Sequence, residues 1–245
     1  MAGHSHWAKI KRAKGANDAK RGKVWSKIAR KIIIAAKNGG GDPAQNLTLR
    51  YTIEEAKAAN MHKDTIANAI KKGTGELGAE NYKDINYEGY APGGVALMIE
   101  VLTNNPTRTV AEVRKIFEMH GGNMATAGAV AFQFVKQGII AVKAEAVDED
   151  RLMEVALEAG AEDVKAGGEG FEVITSPVTF HKVKEAIEAA KIPFEAGEIT
   201  YLPTNTVSID ADRALNLLKL VDAMEDNDDV QSVSHNAEMP ESVSV

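Results

Sequence analysis

The chain has no cysteine in 245 residues. That absence excludes disulfides, thiol nucleophiles and cysteine-ligated zinc or iron–sulfur sites, and it suits a reducing cytoplasm. Apolar runs are short: none approaches the ~20 residues that cross a bilayer, and the basic start lacks the apolar stretch of a secretory signal. We therefore expect a cytoplasmic protein with no membrane partner. Recognisable catalytic motifs are missing too. The six histidines, His4, His6, His62, His120, His181 and His235, are scattered, and none lies in an HExxH, GxSxG or GxxxxGK[ST] setting. No nucleophile, resident metal or cofactor is expected, and the chain does not read as an enzyme. The acidic run Glu225, Asp226, Asp228, Asp229 lacks the spacing and glycine turn of a calcium loop and reads as an ordinary loop between a helix and a strand.

Negative charge is the most informative scarcity. The whole chain is acidic, with net charge −6 and pI near 5.6. Residues 1–37 nevertheless carry 11 basic side chains and a single acid, Asp18. Residues 1–72 hold 16 Lys+Arg against 5 Asp+Glu, and residues 73–245 hold 13 against 30. Segregation of this size calls for a polyanionic partner at one end. Lysine and arginine gain affinity for phosphates by counterion release, nearly irrespective of sequence. The expected nucleic-acid-binding residues are Lys9, Lys11, Arg12, Lys14, Lys20, Arg21, Lys23, Lys27, Arg30 and Lys31. Trp7, set among these cations, joins them as a ring able to stack on unpaired bases. Trp25 shares an apolar face with Val24 and Ile28 and is expected in a core. Arg108, Arg114 and Lys115 form a weaker second patch, better explained as a solvated helix face.

The periodicity predicts an α+β multidomain chain. Residues 1–21 show no sustained apolar period and read as an arm. From Gly22 a helix presents Val24, Trp25, Ile28, Ile32, Ala35 and Ala36 on one face and Lys20, Lys23, Lys27, Arg30 and Lys31 on another. Asn38 and three glycines stop it. A second helix is expected from Asp42-Pro43 to about Asn60, and a third from Asp64 to Lys72, closed by Gly73. Together they predict a helical bundle over residues 1–77. Helices two and three outline a helix-turn-helix, but the would-be reading helix opens on Asp64 and its turn lacks glycine, which weighs against that reading.

Beyond the GTGELG linker, DINYEGY and VALMIEVLT flank APGG as a hairpin, a helix follows over 107–120, and AVAFQFV returns to strand. GIIAVKA, a helix over 148–159, EDVKAG, FEVITS, a helix over 177–190 and EAGEITYLP complete a ferredoxin-like βαββαβ series. The tail, TVSID, a helix over 211–225 and VQSVSHNAE, supplies the α and β that the unit at 85–135 lacks. Residues 78–135 plus 204–245 are thus read as one discontinuous α/β domain, with residues 136–203 as a second ferredoxin-like domain inserted into it.

The stretches MAGHSHWAKIK, DAKRGKVWSKIARKI, GGGDPAQN, AKAANMHKDTI, AIKKGTGEL, YEGYAPGGVALMIEVLT, RTVAEVRKIFEMHGGN and MEDNDDVQSVSHNAE occur in order from end to end. In these the chain resembles the YebC/PmpR family of bacterial proteins, akin to the mitochondrial translational activator of cytochrome c oxidase. His6 stands where lysine is expected, His62 where proline is common, and Pro106 where a polar or basic residue is usual. The resemblance implies three domains, the third inserted into the second, and a non-enzymatic role in gene expression. It implies a DNA-binding transcriptional regulator; the alternative is a ribosome-associated translation factor whose arm meets rRNA or tRNA. An irregular basic arm with aromatics suits folded RNA and single strands at least as well as a duplex. A small-molecule-responsive module, with a pocket between the acidic domains, is the reading from a different class. The sequence leaves the oligomeric state open.

Overall fold

A computed structural model describes residues 21–78, 81–167, 170–240 and 243. The first helix, α1 (Arg21–Gly39), ends where Gly40 turns left-handed at φ +85°. Ile28, Ile32, Ala35 and Ala36 are buried as their spacing predicts, and Ile33 joins them. Val24, expected on that face, is exposed because the packed face begins one turn later. Trp25 lies in the bundle as expected: its indole N–H donates to the Ala59 carbonyl at 2.9 Å and its ring meets His62 edge-on.

The second helix, α2 (Leu47–Ala58), begins four residues beyond Pro43. Asn46 takes the cap because it fits three jobs at once. Its side-chain oxygen accepts from the Leu49 amide, and its amide nitrogen donates to the carbonyls of Ala35 and Gly40, tying α2 to the end of α1. Asp42 instead caps a preceding turn through the Ala44 amide. The third helix, α3 (Lys63–Thr74), runs straight through Gly73 to a left-handed Gly75. Gly73 is there for close approach: a Cβ would sit 2.7 Å from the Ala36 Cβ and collide with the Ile33 carbonyl.

Strands β1 (Lys83–Ala91) and β2 (Val95–Thr103) form the expected hairpin, with Tyr87 opposite Ile99. Helix α4 (Pro106–Met119) starts on an Asn105 cap with proline in its first turn, and the short β3 (Asn123–Ala125) returns beside β1. From the tail, helix α7 (Ala211–Glu225) and β9 (Val230–His235) complete this sheet, β9 pairing antiparallel with β2 to give the order β3-β1-β2-β9. Val95, Leu97, Ile99 and Val101 pack against Val113 and Phe117 of α4 and Leu217, Leu220 and Met224 of α7.

The inserted domain contains β4 (Phe134–Lys143), α5 (Glu149–Ala159), β5 (Asp163–Gly167), β6 (Gly170–Thr175), α6 (Phe180–Ala189) and β7 (Ala196–Pro203). Its sheet order is β5-β6-β4-β7, with both helices on one face around Ile140, Val142, Leu152, Val173, Val183 and Ile187. One expectation fails here. AVAFQFV and GIIAVKA are not separate strands: Phe134–Lys143 is one strand passing through Gly138, and Ala131–Gln133 is a 3₁₀ turn. Gly138 is no breaker, since its missing Cβ makes room for Thr175 and Phe180. The turn upstream is organised by the Glu88 carboxylate, which accepts from the amides of Gly128, Val130 and Ala131. The last short pair, β8 (Val207–Ser208) and β10 (Ala237–Glu238), is parallel.

Candidate nucleic-acid interface

Of the expected nucleic-acid-binding residues, Trp7, Lys9, Lys11, Arg12, Lys14 and Lys20 lie outside the described residues. Arg21 opens α1. The remaining four sit on α1, and every one meets an oxygen of the protein itself. Lys31 pairs with Glu55 of α2 at 2.9 Å, within the bundle. Lys23, Lys27 and Arg30, spaced four and three residues apart, form a stripe along one side of the helix. That stripe receives the acidic loop after α7.

Lys23 pairs with the Asp226 carboxylate at 2.9 Å. Lys27 donates to the backbone carbonyl of Glu225 at 2.8 Å, the last residue of α7, where carbonyls without helical partners carry partial negative charge. Arg30 donates to the Asp228 carbonyl and lies 3.3 Å from the Asp229 carboxylate. Burial pushes the Lys27 ammonium below its ordinary value, and Lys31 adds to the push while Glu225 pulls back. The basic face of α1 is therefore a domain contact in this structure, with an acidic segment of the same chain occupying the place foreseen for a polyanion.

Asp229 closes the inner end of this contact. Its side chain is 3% exposed and accepts from Thr109 at 2.7 Å, Thr103 at 3.1 Å and Arg108 at 2.6 Å, while Arg30 approaches its other oxygen. Burial works to raise the Asp229 carboxyl, but the hydrogen bonds from Thr109, Arg108 and Thr103 outweigh it and hold it below the usual carboxylate range. Arg108, grouped with Arg114 and Lys115 as a second basic patch on sequence grounds, is thus tied to Asp229 and Glu112, whereas Arg114 and Lys115 are exposed on α4.

Sequence reasoning missed this partnership. Its signal was present in the opposite charges of Lys23, Lys27 and Arg30 and the EDNDD run, but 194 or more intervening residues separate them. A second interdomain contact was also missed. Tyr51 of α2 stacks on His181 of α6, ring centroids 3.4 Å apart and nearly parallel, and its hydroxyl donates to Glu185 at 2.7 Å. A cleft of about 260 Å³ among the described residues is lined by Lys143, Glu145, Ala146, Pro193 and Glu195 of the inserted domain. Its Lys143 already faces Glu145 and Glu195.

Similarity to known proteins extends over all three domains. The profile of the TACO1/YebC protein N-terminal domain matches residues 5–76, and that of the TACO1/YebC second and third domain matches residues 82–237. The chain belongs to the TACO1/YebC family. A member from Acidithiobacillus ferrooxidans is 53% identical over 236 residues, covering 96% of this chain and 94% of that protein. Another from Desulfatibacillum aliphaticivorans is 52% identical over 241 residues and covers 98% of each. Both are named "Probable transcriptional regulatory protein". The crystal structure of a conserved hypothetical protein from Aquifex aeolicus matches with a TM-score of 0.82 and 47% identity, covering 91% of this chain and 93% of that one. The division into an N-terminal domain and a second and third domain agrees with the helical and α/β units described above.

Proposed function

We propose that the protein is a non-enzymatic, nucleic-acid-binding regulator of gene expression that engages phosphates through its N-terminal arm. The observation that carries this is the charge segregation: 11 cations against one acid in residues 1–37 of an otherwise acidic chain. The names of the relatives favour transcriptional control through DNA. Since the α1 stripe is engaged by residues 225–229, first contact falls to Trp7, Lys9, Lys11, Arg12, Lys14, Lys20 and Arg21. The exposed Lys57, Lys63 and Lys71 extend positive charge over the helical domain.

A second reading, a translation factor bound to rRNA or tRNA on the ribosome, is favoured by one observation. Asp64 is exposed in the first turn of α3, where a helix-turn-helix would enter the major groove, and this weighs against sequence-specific reading of duplex DNA by that pair of helices. Replacing Lys9, Lys11 and Arg12 together by alanine should weaken binding across sequences. It should also flatten log K against log salt by about 2–3 units, at ~0.9 per phosphate contact on duplex and ~0.7 on single strands. An unchanged slope would refute the arm as the binding element. Crosslinking in cells separates the two targets, according to whether promoter DNA or ribosomal RNA is recovered.

A further inference from the structure

We propose that the acidic loop 225–229 is an internal mimic of a nucleic-acid backbone on α1, and that loop and nucleic acid compete for the stripe Lys23, Lys27 and Arg30. This rests on the reading that the protein binds nucleic acid. The partners of the stripe are all oxygens with negative character: the Asp226 and Asp229 carboxylates and the Glu225 and Asp228 carbonyls. They are offered in sequence along about two helical turns, a length of roughly 10 Å. Successive phosphates present the same chemistry to the same cations.

The contact is graded from one end to the other. At the outer end the Lys23 and Asp226 side chains are 42% and 60% exposed, so their pairing is weak and screened. At the inner end Arg30 and Asp229 are 15% and 3% exposed. Lys23 is also the cation next in sequence to Lys20 and Arg21 of the arm. A polyanion held by the arm reaches Lys23 first, where the loop is held least, and displaces it inward toward Arg30. Lys27, which donates to the Glu225 carbonyl while the loop is in place, is freed to meet a phosphate when the loop leaves. Occupancy of the stripe by nucleic acid then separates the helical domain from the C-terminal end of α7, so that binding is coupled to domain arrangement.

The test uses the full chain carrying Asp226→Asn and Asp228→Asn, two exposed positions outside the Asp229 hydrogen-bond set. The probes are a fluorescein-labelled DNA duplex and a labelled RNA hairpin, each titrated at several salt concentrations. Competition predicts binding about three- to tenfold tighter than wild type, the scale of one surface charge pair and one neighbouring carboxylate, with a salt slope steeper by about 2. In the wild-type chain, saturating probe should accelerate amide exchange over residues 226–229. Equal affinity with an unchanged slope, or protection of that loop by the probe, overturns the proposal. The Lys9, Lys11 and Arg12 alanine variant keeps the two readings apart. If it binds like wild type while the loop variant binds tighter, the arm reading fails and competition stands. If it weakens while the loop variant matches wild type, competition fails and the arm reading stands. If no chain binds either probe, both fall.

Discussion

Asp229 accepts hydrogen bonds from β2 and α4 and faces a guanidinium of α1, so one carboxylate joins segments more than a hundred residues apart. Removing one member of a buried pair leaves the others uncompensated, which typically costs ~3–5 kcal/mol. Arg108 is about half exposed and can return to water, so Asp229→Asn should cost less, about 2–3 kcal/mol in a urea titration of the full chain. The pH dependence has a defined sign. Because the folded carboxyl lies below its ordinary 3.8, the ionised form contributes stability above that value, and the contribution is lost as pH falls through the folded value. The Asn variant should lack this part of the acid-side loss. Nothing in the acidic run itself distinguished Asp229 from Asp226 or Asp228. Only burial beside Thr103 and Thr109 does.

At the scale of elements, the helices with strong punctuation were legible. The expected range of α7 is the observed one, because Asp210 caps its start and its apolar residues keep helical spacing to Met224. Glycine was the main source of error. Gly73 read as the close of a helix and Gly138 as the start of a strand, yet each lies inside an element where a neighbouring segment comes close. A residue missing for space looks the same in sequence as one missing for flexibility. The two cases separate by mutation. Gly→Ala within a helix ordinarily stabilises by ~1 kcal/mol, but Gly73→Ala drives a Cβ into Ala36 and the Ile33 carbonyl, so we expect a net loss of about 1–3 kcal/mol. Thermal unfolding of the single variant checks the sign, and a rise in Tm would contradict the packing account.

At the scale of the molecule, the helical domain meets α7 through the acidic loop and α6 through Tyr51, among the described residues. In the second, His181 stacks on Tyr51, and burial with the nearby Lys184 and Arg50 lowers its imidazole from 6.5 to about 4, against the pull of Glu185. The neutral ring is thus the form the folded chain accepts. Its contribution is fully present above about 6.5 and declines as pH falls toward 4, the unfolded chain binding the extra proton. His181→Phe keeps a ring against Tyr51 and should flatten the change in urea midpoint between these pH values. An unaltered pH profile would place the titration elsewhere.

Local pattern and composition by themselves determined the helical bundle, the ferredoxin-like series, the return of the tail to the middle sheet and the concentration of positive charge at one end. These follow from periodicity, caps and counting, which a linear chain displays directly. Tertiary structure decided what that charge touches. Whether Lys23, Lys27 and Arg30 face solvent or the end of α7 depends on how two domains pack. Coulombic attraction acts through space, and sequence separation carries no record of it.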